Sequence, residues 1–178
     1  MEVLIREVCK VWRPHWNGIF LARAVWEQGE NKNSYENTDP MTTVSEKRRV
    51  LIHTENSQES LKVYLLPSKA FPIQTAGCLG SPLYWDCFSR SMIVDFCHSI
   101  GDKNSLHSQV PAIVPGLLIL QKLVAFLPPV EMLQISFHSP IYENDKIYLS
   151  DFSSHIEGSV GKIRCFSIFF RKRGSKDE

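Results

Sequence analysis

The stretch 101-GDKNSLHSQVPAIVPGLLILQ-121 decides how this chain is read. An Asp, an Asn and a His fall within its first seven residues, and two prolines and a glycine then lead into an unbroken apolar run. From Pro115 onward, PGLLILQKLVAFL predicts a helix, because a proline's fixed φ suits the first turn and its missing N–H is not needed there. The apolar residues of that helix fall on nearly every side of the cylinder, so other structure has to wrap it. Leu117, Leu118, Leu120, Leu123, Val124 and Phe126 are expected to be buried.

Working outward, DCFSRSMIVDFCHSI (86–100) spaces Phe88, Met92 and Phe96 as a helix does, and Gly101 fits its C-terminal stop. Downstream, EMLQISFHSPIY (131–142), DKIYLSDFSSHIE (145–157) and KIRCFSIFFRKR (162–173) read as three strands, with YENDK and EGSVG as the connections. In the first third, VLIREVCKVW (3–12), GIFLARAVWEQ (18–28), RRVLIHTE (48–55) and LKVYLLP (61–67) are rich in β-branched and aromatic residues and read as strands. GENKNSYENTDPMTTVSEK (29–47) reads as a long mobile loop, and FPIQTAGCLGSP (71–82) as an irregular connection that ends at an organisational boundary. Residues 1–82 are therefore expected to extend a sheet, or to be the remnant of a second unit, beside a domain at 83–178. A long curved antiparallel sheet around a buried helix is one of few ways to shelter such a helix, which gives an α+β class.

The composition sets limits on function. A net charge of +1 offers no basic footprint for nucleic acid. The five cysteines are scattered, with neither a CxxC pair nor zinc spacing, which points to a reducing cytoplasm. MEVLIREVCKVW interrupts its apolar residues with charges and lacks the core of a signal peptide, and no apolar run is long enough to span a bilayer. Ser91 and Ser99 lack a nucleophile elbow, and His138 and His155 sit in strand-like segments without metal spacing. Trp12, Trp16, Phe20 and Trp26 read as core or interface, since no basic cluster accompanies them. Asp102 and Asn104 fit residues that cap their own turn as well as they fit a site.

GDKNSLH resembles the G-D-x-N-P-x-H signature of the MaoC-like, R-specific enoyl-CoA hydratases, with Ser105 in place of the proline. The next stretch resembles the β-hydroxyacyl-acyl-carrier-protein dehydratases, whose catalytic His stands nine residues before the glycine that opens the central helix; here His107 stands nine before Gly116. SPIYENDKIYL (139–149) is similar to the strand-turn-strand that follows in MaoC-like proteins. The resemblance covers roughly Trp85 to Arg173.

It implies a hot-dog fold, a homodimer, and hydration or dehydration of an acyl thioester carried on coenzyme A or on acyl-carrier-protein phosphopantetheine, with no cofactor and no metal. Asp102 and His107 would hold and deprotonate a water, imidazole being suited because its ordinary pKa of about 6.5 lies near working pH. Asn104 would orient one of them. The Gly116 N–H, at the positive end of the helix dipole, would take the charge on the thioester oxygen. Gln121 stands where the dehydratases have a catalytic Glu, and is expected to line the site or to bond the water. RKRGSK (171–176) reads as a solvated strand end that could meet phosphates. Two other readings fit the same residues: an acyl-thioesterase, or a non-catalytic protein that binds an acyl chain or carrier or serves in assembly.

Overall fold

Residues 1–29, 39–46, 49–66, 75–76, 81–151 and 155–172 are described by the computed structural model. In chain order they form α1 (Glu2–Lys10), β1 (Phe20–Gln28), β2 (Met41–Glu46), β3 (Val50–Glu55), β4 (Glu59–Leu66), β5 (Leu83–Cys87), α2 (Arg90–Ile100), α3 (Gly116–Phe126), β6 (Val130–Phe137), β7 (Lys146–Asp151), β8 (Ile156–Val160) and β9 (Ile163–Lys172). Short 3-10 turns lie at Pro14–Trp16 and Ser105–His107.

All nine strands join one sheet in the order β2-β3-β4-β1-β6-β9-β8-β7-β5, and every pairing is antiparallel. Helix α3 packs on β1 and β6, and α1 packs on β3 and β4. This is the α+β hot-dog arrangement. Counted outward from the β1·β6 pair, the sheet runs β1-β4-β3-β2 one way and β6-β9-β8-β7 the other, each following a helix in sequence. The succession α1-β1-β2-β3-β4 thus repeats as α3-β6-β7-β8-β9, with β5 added at the far edge of the second half.

Several elements differ from the sequence expectation. VLIREVCKVW is helical: Leu4, Ile5, Val8 and Cys9 recur at helical spacing and are buried, while Glu2–Arg6 and Glu7–Lys10 pair along the exposed side. A count of β-branched residues hid that period. Inside the expected loop 29–47, Met41–Glu46 forms β2 against β3; residues 30–38 and 47–48 lie outside those described.

EGSVG is not a turn but most of β8, so four strands follow α3 rather than three. Gly158 suggests a turn in sequence, yet it is a strand glycine: a Cβ there would fall inside the Phe166 ring, which is buried over it. The turn comes one step later, at Gly161, whose φ of 57° only glycine adopts freely.

On α3, Leu117, Leu118, Ile119, Leu120 and Leu123 are buried as the all-round apolar pattern requires. Val124 is half-buried and Phe126 is 51% exposed, edge-on to Trp85. The wrapping is thus confined to the first two turns, and the last turn leaves the core.

Candidate active site

Ser89 caps α2 by accepting a hydrogen bond from the Met92 N–H, and Gly101 ends the helix at φ 72°, in the left-handed region. The chain then turns back on itself. Asp102 Oδ1 accepts from the Asn104 N–H at 2.9 Å, the self-capping turn that its residue type favours. Its second oxygen remains for chemistry: Oδ2 lies 3.5 Å from Nε2 of His107, and both side chains are almost entirely withdrawn from solvent.

His107 Nδ1 lies 2.7 Å from the carbonyl oxygen of Ile113. A carbonyl only accepts, so Nδ1 carries a hydrogen, and Nε2 is the ring nitrogen turned towards Asp102. In the neutral form of the ring this leaves Nε2 as the nitrogen without a hydrogen.

Asn104 does not orient either group through its side chain. Its Oδ1 accepts from the Gly18 and Leu106 N–H groups, and its Nδ2 donates to the Ile19 carbonyl. The amide is committed to backbone, and only Asn104's own N–H touches Asp102. Asn17 completes the tie by accepting from the Ser105 N–H at 2.8 Å. Residues 17–19, which no motif marks, thereby fasten the N-terminal half to the loop that carries the Asp/His pair.

Asp102 and His107 open onto a cavity of about 820 Å³, its mouth included. One wall is the loop with Val114, Pro115 and the start of α3; the other is supplied by the N-terminal half, through Val8, Cys9 and Trp12 and through Leu21, Val63 and Leu65. Gly116 lies between them. A Cβ there would sit 2.6 Å from Leu21 Cδ2 and 3.0 Å from the Phe137 ring, so only glycine lets β1 and β6 approach the helix start this closely. First-turn N–H groups have no acceptor within their own helix, and the helix dipole makes this end positive.

Gln121 is half-buried and does not line the cavity, against the expectation that it would touch the site. Five residues on from Gly116, it has rotated past the face that α3 turns to the cavity. Gln121→Ala and Gln121→Glu are accordingly expected to change turnover less than about 2-fold, since neither alters a group in contact with the reacting atoms. Steady-state kinetics on both variants measure this.

Two thiols stand near Asp102. Burial first, and then the Asp102 charge, push the Cys97 thiol up to about 12, and the same two causes push Cys9 higher still. Both are neutral at working pH and lack the thiolate that nucleophilic chemistry needs. Burial pushes Cys165 up to about 11. All three are expected to resist iodoacetamide at pH 8 in the folded protein and to react once it is denatured, which peptide mass spectrometry resolves. The four cysteines among the described residues are free.

Of the other residues considered, His138 Nε2 meets Ser167 Oγ at 2.9 Å, and burial together with the Arg164 charge holds its pKa below the ordinary value. His155 stacks on Phe169 and meets Glu157. Ser91 and Ser99 bond to Ser89 and to the Phe96 carbonyl. No cluster with metal-binding composition occurs among the described residues. Of RKRGSK, Arg171 pairs with Glu131 and residues 173–176 lie outside those described.

No protein-family model and no curated protein matches the sequence. Solved structures do. HtdX from Mycobacterium tuberculosis superposes with a TM-score of 0.62 at 12% identity, over 96% of this chain and 84% of that one. The fold is that of the MaoC-like dehydratases. A MaoC-like dehydratase from Phytophthora capsici gives a TM-score of 0.52 at 14% identity, over 93% of this chain and 72% of that one. The full-length peroxisomal multifunctional enzyme type 2 from Drosophila melanogaster gives 0.52 at 12% identity, this chain matching over 95% of its length and over 40% of the enzyme.

Proposed function

We propose that this protein hydrates an enoyl thioester, or dehydrates a 3-hydroxyacyl thioester, with Asp102 and His107 as the catalytic pair. The observation that carries this reading is the His107 ring: tethered at Nδ1, it turns Nε2 towards a carboxylate at the edge of an apolar cavity. A water held between the two loses a proton to Nε2 as its oxygen bonds to C3 of the enoyl group. The π electrons move to the thioester oxygen, where the Gly116 N–H receives the charge. The imidazolium, balanced by Asp102, returns a proton to C2, and both residues end as they began. Dehydration is the same path reversed.

The acyl chain lies along the apolar wall from α1, β1 and β4. This gives the N-terminal half a role as a second, reduced hot-dog unit that has kept its helix and four strands and contributes surface to the site. The β1·β6 pair joins these units within one chain, so a homodimer of the kind expected from the resemblance uses the free sheet edges at β2 or β5. No helix among the described residues is long and apolar enough to cross a membrane, and the free thiols suit a reducing cytoplasm.

The test is loss of enoyl-thioester absorbance across chain lengths, on coenzyme A and on acyl carrier protein, with free thiol followed in parallel. Absorbance loss without thiol release is the expected result. Thiol release in its place identifies a thioesterase, and neither signal identifies a binding protein.

A further inference from the structure

Ser139 follows β6 and opens the SPIYENDKIYL stretch, where it carries no assigned chemistry. It is 9% exposed, lines the cavity that holds Asp102 and His107, and its Oγ has no hydrogen-bond partner. Buried hydroxyls are nearly always bonded, so an orphan inside a binding cavity points to a partner that arrives with the ligand. The backbone around it is held firmly: the N–H groups of His138 and Ser139 both donate to the Cys165 carbonyl, at 2.8 and 3.2 Å.

What faces Ser139 follows from register. Ile113 bridges Tyr142 in the antiparallel sense, and the Val114 N–H donates to the Ile141 carbonyl at 2.8 Å. Two residues beyond that Val114/Ile141 pair lie Gly116 on one segment and Ser139 on the other. The serine therefore comes opposite the start of α3, where the Gly116 N–H has no acceptor among the described residues. Phe137, two residues before Ser139, already lies against the Gly116 position. Gly116 and Ser139 line the same cavity, so two donors without acceptors, one backbone and one hydroxyl, belong to its wall.

We infer that Ser139 Oγ is a second donor to the thioester carbonyl oxygen, acting with the Gly116 N–H on the atom that becomes negative during the reaction. The inference rests on the acyl-thioester reading above. The hydroxyl makes no covalent bond and gives up no proton; it donates one hydrogen bond, which strengthens as the oxygen gains charge.

The test compares two probes on the wild-type protein and two variants by titration calorimetry: octanoyl-coenzyme A, a saturated thioester that cannot be hydrated, and S-octyl-coenzyme A, the thioether without the carbonyl. Ser139→Ala is expected to weaken thioester binding about 3- to 10-fold, the scale of one neutral hydrogen bond, and to leave thioether binding unchanged. Ser139→Cys, nearly isosteric but a poor donor, should follow Ala and covers the case in which the alanine variant folds badly. The melting temperature of ligand-free Ser139→Ala should not fall, because the hydroxyl bonds to nothing in the protein.

Equal losses for both probes, or none for either, overturn the role of Ser139 while leaving the acyl-thioester reading standing. Failure of the wild-type protein to bind either probe overturns that reading, and the role of Ser139 with it.

Discussion

Asp102→Asn and His107→Ala should each lower turnover by roughly 10²- to 10⁴-fold, the range of one general acid–base group, with the melting temperature nearly unchanged for Asp102→Asn. Asparagine keeps an oxygen to accept from the Asn104 N–H, so the turn survives, and what is lost is the charge that faces Nε2 across 3.5 Å. His107→Ala also removes the tie to Ile113, so a modest loss of stability accompanies its loss of rate. On the proposed mechanism the double variant should be little worse than the poorer single one, because there the two groups act on one water in one transition state.

An independent readout follows from the thiols. The Asp102 charge is one cause of the raised Cys97 pKa, so Asp102→Asn should speed alkylation of Cys97, whether or not substrate is present. Wild-type turnover in either single variant would exclude the dyad mechanism, whereas unchanged Cys97 reactivity would argue only that the two groups do not communicate.

The parts of this site that are local in sequence were legible there. Asp102, His107 and Gly116 lie within 15 residues, on a turn, a 3-10 segment and a helix start that follow one another along the chain. The side of the cavity facing them could not be read. Val8, Trp12, Val63 and Leu65 reach it only because the first half of the chain repeats the succession of the second and pairs with it through β1 and β6. Period was the available signal, and Leu4, Ile5, Val8 and Cys9 carry it; strand propensity in VLIREVCKVW outweighed it, as propensity does when tertiary packing is out of view. EGSVG misled for a related reason. Glycine commonly marks a turn, and only the Phe166 ring, brought across from β9, shows why one belongs inside β8. Asn104 stands out by its motif, but its amide ties backbone together, because its partners at Gly18 and Ile19 lie 85 or more residues away.

Leu120→Ala should destabilise the fold by about 2–5 kcal/mol, against less than about 1 kcal/mol for Phe126→Ala on the same helix. The contrast is unusual, since phenylalanine is the larger side chain and truncating it in a core costs at least as much as truncating leucine. Here position decides. Leu120 has no exposed surface and lies among the side chains that fill the space between α3 and the sheet, so its removal leaves a hole that a close-packed interior collapses into only in part. Phe126 is 51% exposed, and its ring contact is the edge-on one with Trp85; removing it returns to water a surface already half in water. Denaturant unfolding of the two variants measures both values on one scale. The same pair separates fold from chemistry: Phe126→Ala should keep full turnover, and Leu120→Ala should lose turnover only as far as it loses folded protein, because neither residue lines the cavity. Equal costs at the two positions would mean that the sheet wraps the whole of α3, and the exposed last turn would have to be withdrawn.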